Sequence, residues 1–206
     1  MTAGSSGRFI SFEGIDGAGK STQHQWLVEY LKAQGREVVA TREPGGTPLG
    51  EKLRTVLLAE TMQLDTEALL MFAARCEHVE LVIRPALARG AWVVCDRFVD
   101  ASMAYQGGGR GLSAARLNEL ALWTLGDLKP DLTLLFDLPV EAAMARLQAG
   151  TQNPDRFERE KAEFFERVRA TYLAIAAAEP QRVRVIDARM TLFEIQAILE
   201  SIIANY

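Results

Sequence analysis

The 206 residues carry 23 Lys plus Arg against 27 Asp plus Glu, and a net charge of −4 provides no basic field to gather a nucleic acid. With 49% apolar and 24% charged residues the chain has the balance of one globular domain spanning 1–206, and not of a disordered polymer. Only Cys76 and Cys95 are present, in no metal-ligand spacing, and no apolar window reaches the ~18 residues of a membrane span, so a disulfide scaffold, a zinc site and a membrane anchor are all disfavoured and a cytoplasmic protein is expected.

After a Gly/Ser/Thr-rich lead-in over residues 1–7, read as flexible, the apolar run Phe9 to Glu13 predicts a strand. A helix from about Lys20 to Gln34 follows, stopped by Gly35, and then a strand from Glu37 to Thr41. Thr66 to Arg89 predicts a long helix, with Leu69, Phe72, Cys76, Val79 and Ile83 at three- and four-residue steps forming one stripe against a sheet. Trp92 to Cys95, Leu132 to Asp137 and Val183 to Ile186 predict three more strands, separated by helices near Ala114 to Leu125, Val140 to Gln148 and Glu158 to Ala178, with a last helix at Leu192 to Ile203. Strands alternating with long helices mark βαβ units, hence an α/β fold with a parallel sheet. Ala149 to Asp155, broken by Gly150 and Asn153-Pro154, fits neither pattern and reads as part of a mobile lid over about 146–160.

The segment Gly14-Ile15-Asp16-Gly17-Ala18-Gly19-Lys20-Ser21 matches G-x-x-x-x-G-K-[ST] between a predicted strand and a predicted helix. Glycines at 14, 17 and 19 let the backbone close around a phosphate, and the helix N-terminus adds N–H groups and a positive dipole end. Gly14 through Ser21, with Thr22, are therefore the expected ATP contacts. Lys20, expected to face solvent until phosphate arrives, meets the β and γ phosphates, and the Ser21 hydroxyl ligates Mg²⁺. A GTPase would need an N-K-x-D guanine reader, which the chain lacks. Phosphoryl transfer needs further cations, and Arg42, Arg54, Arg75, Arg97, Arg146, Arg156 and Arg159 are the candidates.

Four blocks carry a resemblance: Phe12-Glu13-Gly14 to Ser21; Thr41-Arg42-Glu43-Pro44-Gly45-Gly46-Thr47; Asp96-Arg97-Phe98 with Ala104-Tyr105-Gln106-Gly107-Gly108-Gly109-Arg110; and Asp155-Arg156. Through them the chain resembles the thymidylate kinase family over essentially its whole length. The resemblance implies a three-layer P-loop kinase fold with a five-stranded parallel sheet and a short lid, and a homodimer. It implies transfer of the ATP γ-phosphate to dTMP, giving dTDP and ADP for dTTP synthesis.

Residue by residue, the resemblance makes Phe72 the platform for the thymine ring and Arg75 a donor to the base. Arg97 sits beside the acceptor phosphate, and Asp96 is a carboxylate that holds a magnesium-bound water. Tyr105 lies over the deoxyribose, Ser102 and Gln106 belong to the acceptor site, Asp16 meets the sugar 3′-hydroxyl and the metal region, and Pro44 and Arg54 line the pocket. Ala101 stands where the family commonly has Ser. Gly17 stands where some members carry a catalytic arginine, so the resemblance moves that charge to the lid, with Arg156 and Arg146 ahead of Arg159. A kinase for dUMP or dCMP is the neighbouring reading, because only a 5-methyl separates thymine from uracil. His24 and His78 lack a partner pattern and receive no role.

Overall fold

The computed structural model describes residues 7–150 and 155–206. Residues 1–6 of the expected lead-in and 151–154 of the expected lid lie outside the described residues. Strand β1 (Phe9–Glu13) enters the glycine loop and α1 (Lys20–Ala33), followed by β2 (Val38–Arg42), α2 (Pro48–Ala59) and α3 (Leu64–His78). A π-helical stretch (Val79–Ile83) joins α3 to α4 (Arg84–Ala88), and β3 (Trp92–Asp96) leads to α5 (Val99–Ser102) and a second π-helical stretch (Met103–Gly109). The remainder runs α6 (Ala114–Leu125), β4 (Leu132–Asp137), α7 (Val140–Gly150), α8 (Ala162–Ala178), β5 (Val183–Asp187) and α9 (Leu192–Ile203).

The five strands are parallel in the order β2-β3-β1-β4-β5. β1 is buried on both faces and its residues alternate between them: Ile10 and Phe12 join a core with Leu27, Leu134, Phe136 and Leu199, while Phe9 joins Val79, Ile83, Val93 and Phe98 on the other side. Ser11, fully buried in β1, is satisfied by the Thr133 hydroxyl at 2.8 Å. The chain leaves β1 toward β2 and leaves β3 toward β4, so the two connections part at the carboxyl ends of neighbouring strands. In an open α/β sheet that divide is where ligands bind.

The expected strands and most helices occur within a few residues of their expected ends. The stripe on α3 departs from expectation at Leu69, which is exposed, because the inward face of α3 is the one that carries Glu67, Ala68, Phe72 and Arg75. Pro85, which has no N–H for the carbonyl four residues back and crowds it, accounts for the π-helical widening before α4. Helix α8 begins at Ala162, not Glu158; the preceding turn is held by Asp155, whose Oδ1 accepts the N–H groups of Phe157 at 2.8 Å and Glu158 at 2.9 Å. Helix α2 starts where Thr47 accepts the Gly50 N–H, with Pro48 at the first helical position.

Helix α7 presses on the glycine loop. At Gly17, φ is +81° and a Cβ would stand 2.4 Å from the Ala143 carbonyl oxygen. Any side chain there, an arginine included, must displace α7. Gly17→Ala is therefore expected to lose about 2–4 kcal/mol from strain plus overpacking. Gly35→Ala is its control, because Gly35 has φ +78° but open space around it, and should lose only about 1–2 kcal/mol. Urea unfolding midpoints of the two variants measure the difference.

Candidate active site

The loop after β1 wraps the N-terminus of α1. Gly19, in a left-handed conformation at φ 84°, turns the chain into the helix. Lys20 is buried, contrary to the solvent-facing expectation, and its Nζ donates to the carbonyls of Gly14 at 2.9 Å and Ile15 at 3.0 Å. Burial, followed by the repulsion of Arg97, lowers the Lys20 ammonium to about 8 despite Asp16, Asp96 and Glu13. Ser21 and Thr22 are exposed at the helix start, and with Gly17, Gly19, Asp96, Arg97 and Leu147 they line one cleft, the expected donor side.

A second cleft of about 570 Å³, its mouth included, opens alongside. It is lined by Glu43, Pro44, Arg54, Leu58, Met71, Arg75, Ala101, Ser102, Tyr105, Gln106 and Phe157. Asp16, Glu43, Arg54, Arg97 and Asp155 border both clefts. At this seam Arg97 Nη2 donates to Asp16 Oδ1 at 2.6 Å and to the Tyr105 hydroxyl at 2.9 Å, while Nη1 donates to the Gly14 carbonyl at 3.1 Å and to the Tyr172 hydroxyl at 3.2 Å. The Tyr105 hydroxyl donates to Asp16 Oδ2 at 2.9 Å. Burial pushes the Asp16 carboxyl up, but Arg97 and Lys20 outweigh it and hold it below the usual carboxylate value. A charge-paired carboxylate and a fixed guanidinium thus stand where the two clefts meet.

The expected acceptor residues Pro44, Arg54, Arg75, Ser102, Tyr105 and Gln106 come together in this cleft. Arg54 Nη1 donates to the Pro44 carbonyl at 3.0 Å. Arg75 Nε donates to Glu43 Oε2 at 2.6 Å and Nη2 to the Phe98 carbonyl at 3.1 Å, leaving Nη1 buried and unpartnered. A lone buried donor in the wall of a cleft suits a ligand acceptor. Phe72 is not in the lining: it is 1% exposed, packs with Ala68, Leu112 and Leu117, and has the Arg75 guanidinium 4.7 Å from its ring centre. Asp96 Oδ1 is likewise buried without a partner. That orphan acceptor, facing the cleft that Ser21 lines, fits a magnesium-bound water. Among the described residues no cluster of three His, Cys, Asp or Glu forms a metal cage, so a site here would lean on phosphate oxygens and water, as Mg²⁺ commonly does.

Arg156 is not brought to the glycine loop. Its Nε and Nη2 donate to the Leu57 carbonyl at 3.0 and 2.8 Å, and Nη1 pairs with Glu67. Glu67 is 1% exposed and also accepts from Gln106 at 2.8 Å and Arg110 at 3.2 Å. A buried carboxylate is the strongest acceptor within reach, and it captures Arg156. Arg146 goes the other way: it is exposed, Nη2 donates to the Ala188 carbonyl at 3.2 Å, and Nη1 lies 3.8 Å from where a Cβ on Gly19 would be. Arg159 is exposed.

Sequence reasoning missed the groups behind the walls. Glu43 holds Arg75 with one oxygen and His78 Nδ1 with the other at 2.9 Å, and His78 Nε2 bonds Thr41 at 2.7 Å. His78, given no role, thereby braces Arg75. The one signal was the position of Glu43 inside the T-R-E-P-G-G-T block. Glu67 and Tyr172 lie on helices whose pattern gave no sign of them. Both cysteines are free, Cys95 buried and Cys76 half-buried.

Comparison with known proteins fits this arrangement. The thymidylate kinase family model matches residues 12–199. The thymidylate kinase of Bordetella petrii is 61% identical over 195 residues, covering 95% of this chain and 94% of that protein. That of Cupriavidus metallidurans is 62% identical over 199 residues, covering 97% and 98%. The crystal structure of thymidylate kinase from Ehrlichia chaffeensis superposes with a TM-score of 0.77 at 35% identity, covering 95% of this chain and 98% of that one.

The lowered Lys20 ammonium has a measurable consequence. A polyphosphate at its tip favours the charged form, so binding draws a proton onto Lys20 wherever the free protein has lost it, above pH 8. ATP affinity is therefore expected to fall as pH rises through about 8, with proton uptake on binding at pH 8.5 that vanishes in Lys20→Met. Calorimetry in buffers of different ionisation enthalpy reads both.

Proposed function

The chain belongs to the thymidylate kinase family, and from that premise we propose that it transfers the γ-phosphate of ATP to dTMP, giving dTDP and ADP. The observation that carries this reading is Arg97 at the seam, bonded to Asp16 and to the Gly14 carbonyl and bordering both clefts. A guanidinium there can hold the acceptor phosphate right beside the loop that binds the donor.

ATP lies on the donor side, its phosphates against the backbone N–H groups of residues 14–22. Lys20 leaves the Gly14 and Ile15 carbonyls for the β and γ oxygens. Ser21 and Asp96 would hold Mg²⁺, Asp96 through water; when bound, the ion would supply positive charge to offset the negative charge that develops during transfer. In the second cleft Arg75 Nη1 and Ser102 meet the base, Gln106 stands beside them, and Pro44 and Arg54 close the wall. Stacking of the thymine on Phe72 requires its ring to be uncovered from beneath Arg75, and where it stands Phe72 backs the arginine. Tyr105 sits over the sugar and excludes a 2′-hydroxyl, while Asp16 receives the 3′-hydroxyl. No covalent protein intermediate is needed, because positioning and charge stabilisation suffice for in-line transfer. Arg146, next to Gly19, supplies the remaining cation; the bonds of Arg156 support a clamping role for that residue instead.

The exposed Leu69 and Trp123, which line one groove between α3 and α6, support a homodimer through that face, since large apolar groups gathered at one exposed site mark an interface. Trp123→Glu is expected to shift the protein to monomer in light scattering at micromolar concentration, and an unchanged mass would place the interface elsewhere.

Activity is tested by a coupled ADP-release assay across nucleoside monophosphates. dTMP is expected to turn over fastest, dUMP more slowly, and ribonucleotides at background; a faster rate on any other acceptor would refute the assignment. In the same assay Arg146→Ala should lower kcat about 10²-fold or more with little change in the dTMP KM. Arg156→Ala should instead leave kcat within about tenfold and lower stability by roughly 1–3 kcal/mol, because Glu67 stays buried with one cation fewer.

A further inference from the structure

Arg97 is the one non-glycine residue with positive φ, 70°, among the described residues. A side chain in that region costs on the order of 1–3 kcal/mol and persists only where the surroundings over-determine it. The main chain on either side is held by three bonds: Arg97 N–H to the Phe12 carbonyl at 2.9 Å, Cys95 Sγ–H to the Arg97 carbonyl at 3.0 Å, and Phe98 N–H to Glu13 Oε1 at 2.7 Å. The third comes from a carboxyl that lines neither cleft and is fully buried. Its other oxygen, Oε2, accepts from the Tyr172 hydroxyl at 2.8 Å, and that hydroxyl in turn accepts from Arg97 Nη1. Tyr172 is 2% exposed, so neither group reaches a ligand.

We propose that Glu13 and Tyr172 are positioning residues for phosphoryl transfer: Glu13 pins the strained turn after Arg97 with one oxygen and, through the Tyr172 hydroxyl, aims the Arg97 guanidinium with the other. A single carboxyl thereby controls both the backbone conformation and the side-chain direction of one arginine. The same residue directly precedes Gly14 on β1, and Arg97 Nη1 also donates to the Gly14 carbonyl. Glu13 thus ties the phosphate loop at the end of β1 to the acceptor arginine after β3. The groups facing Glu13 suit this duty. Burial first, then Asp100, push its carboxyl up to about 8, with Arg97, Tyr172 and the Phe98 N–H pulling it back. The Tyr172 hydroxyl and the Phe98 N–H both donate to it, so each oxygen is held as an acceptor in spite of that burial.

The inference rests on Arg97 serving the acceptor phosphate, and the experiment separates the two claims. Tyr172→Phe removes only the hydroxyl between Glu13 and Arg97. It is expected to raise the dTMP KM about fivefold to tenfold, to leave the ATP KM within twofold, and to shift Tm by only a few degrees. Glu13→Gln keeps a carbonyl for Phe98 N–H but turns an NH₂ group toward the Tyr172 oxygen, and should give the same phenotype; if it fails to fold, Tyr172→Phe still decides. In an Arg97→Lys background, Tyr172→Phe should weaken dTMP binding no further, because two residues acting through one contact do not add. Additive losses, wild-type kinetics in Tyr172→Phe, or equal rises in both KM values would overturn the positioning role while leaving Arg97 in place. An Arg97→Lys variant that binds dTMP like the wild type would overturn both.

Discussion

The glycine loop touches the backbone of two other elements, and the site is measured from those contacts. A Cβ on Gly14 would stand 2.4 Å from the Phe136 carbonyl oxygen, and one on Gly17 equally close to that of Ala143. The loop therefore lies flat against the end of β4 and the side of α7. That contact fixes where the N–H groups of α1 point, hence where a phosphate sits. It also removes room for an arginine at position 17, so under the proposed reaction a cation from elsewhere neutralises the transferring phosphoryl. A packing constraint with no chemistry of its own thereby narrows which residues are available for the chemistry.

Parallel strands make the rest possible. Because β1 and β3 are neighbours running the same way, Gly14 and Arg97 emerge side by side, and a phosphate loop and an acceptor arginine meet without any long loop reaching across. The cost is concentrated at Arg97, whose backbone adopts a conformation that non-glycine residues avoid. Buried polar groups supplied by the strands and α8 offset that cost. In the same way Arg75 is held by Glu43 and Arg156 by Glu67, each arginine anchored by a carboxylate that solvent cannot reach. Burying one carboxylate per arginine leaves defined N–H groups to face the clefts, and Arg75 Nη1 is the clearest case.

The second π-helical stretch shows how tertiary contact overrides local preference. Gln106-Gly107-Gly108-Gly109 carries three helix-weakening residues in a row, and no helix is expected there. It is helical because α8 packs onto its backbone: a Cβ at Gly108 would fall 1.9 Å from Thr171 Oγ1, and one at Gly109 2.4 Å from the Phe164 ring. Helix propensity was given up for closeness, and closeness brings Tyr105 and Gln106 to the cleft wall.

What was legible in the sequence was local. The spacing of Gly14, Gly17, Gly19 and Lys20 between an apolar strand and a helix specifies a phosphate loop whatever surrounds it, and the alternation of strands and helices specifies a parallel sheet. The four motif blocks marked most of the residues that line the two clefts. Where Lys20 and Arg156 point was not legible, for one reason. Long charged side chains swing through several ångströms, and their direction is set by whichever acceptors distant elements bring near: the Gly14 and Ile15 carbonyls for Lys20, Glu67 and Leu57 for Arg156, and the Ala188 carbonyl for Arg146. Sequence by itself determined which groups this protein has for phosphate chemistry. Only tertiary structure decided which of them point at the phosphate, because that is a competition among acceptors up to 99 positions apart in the chain.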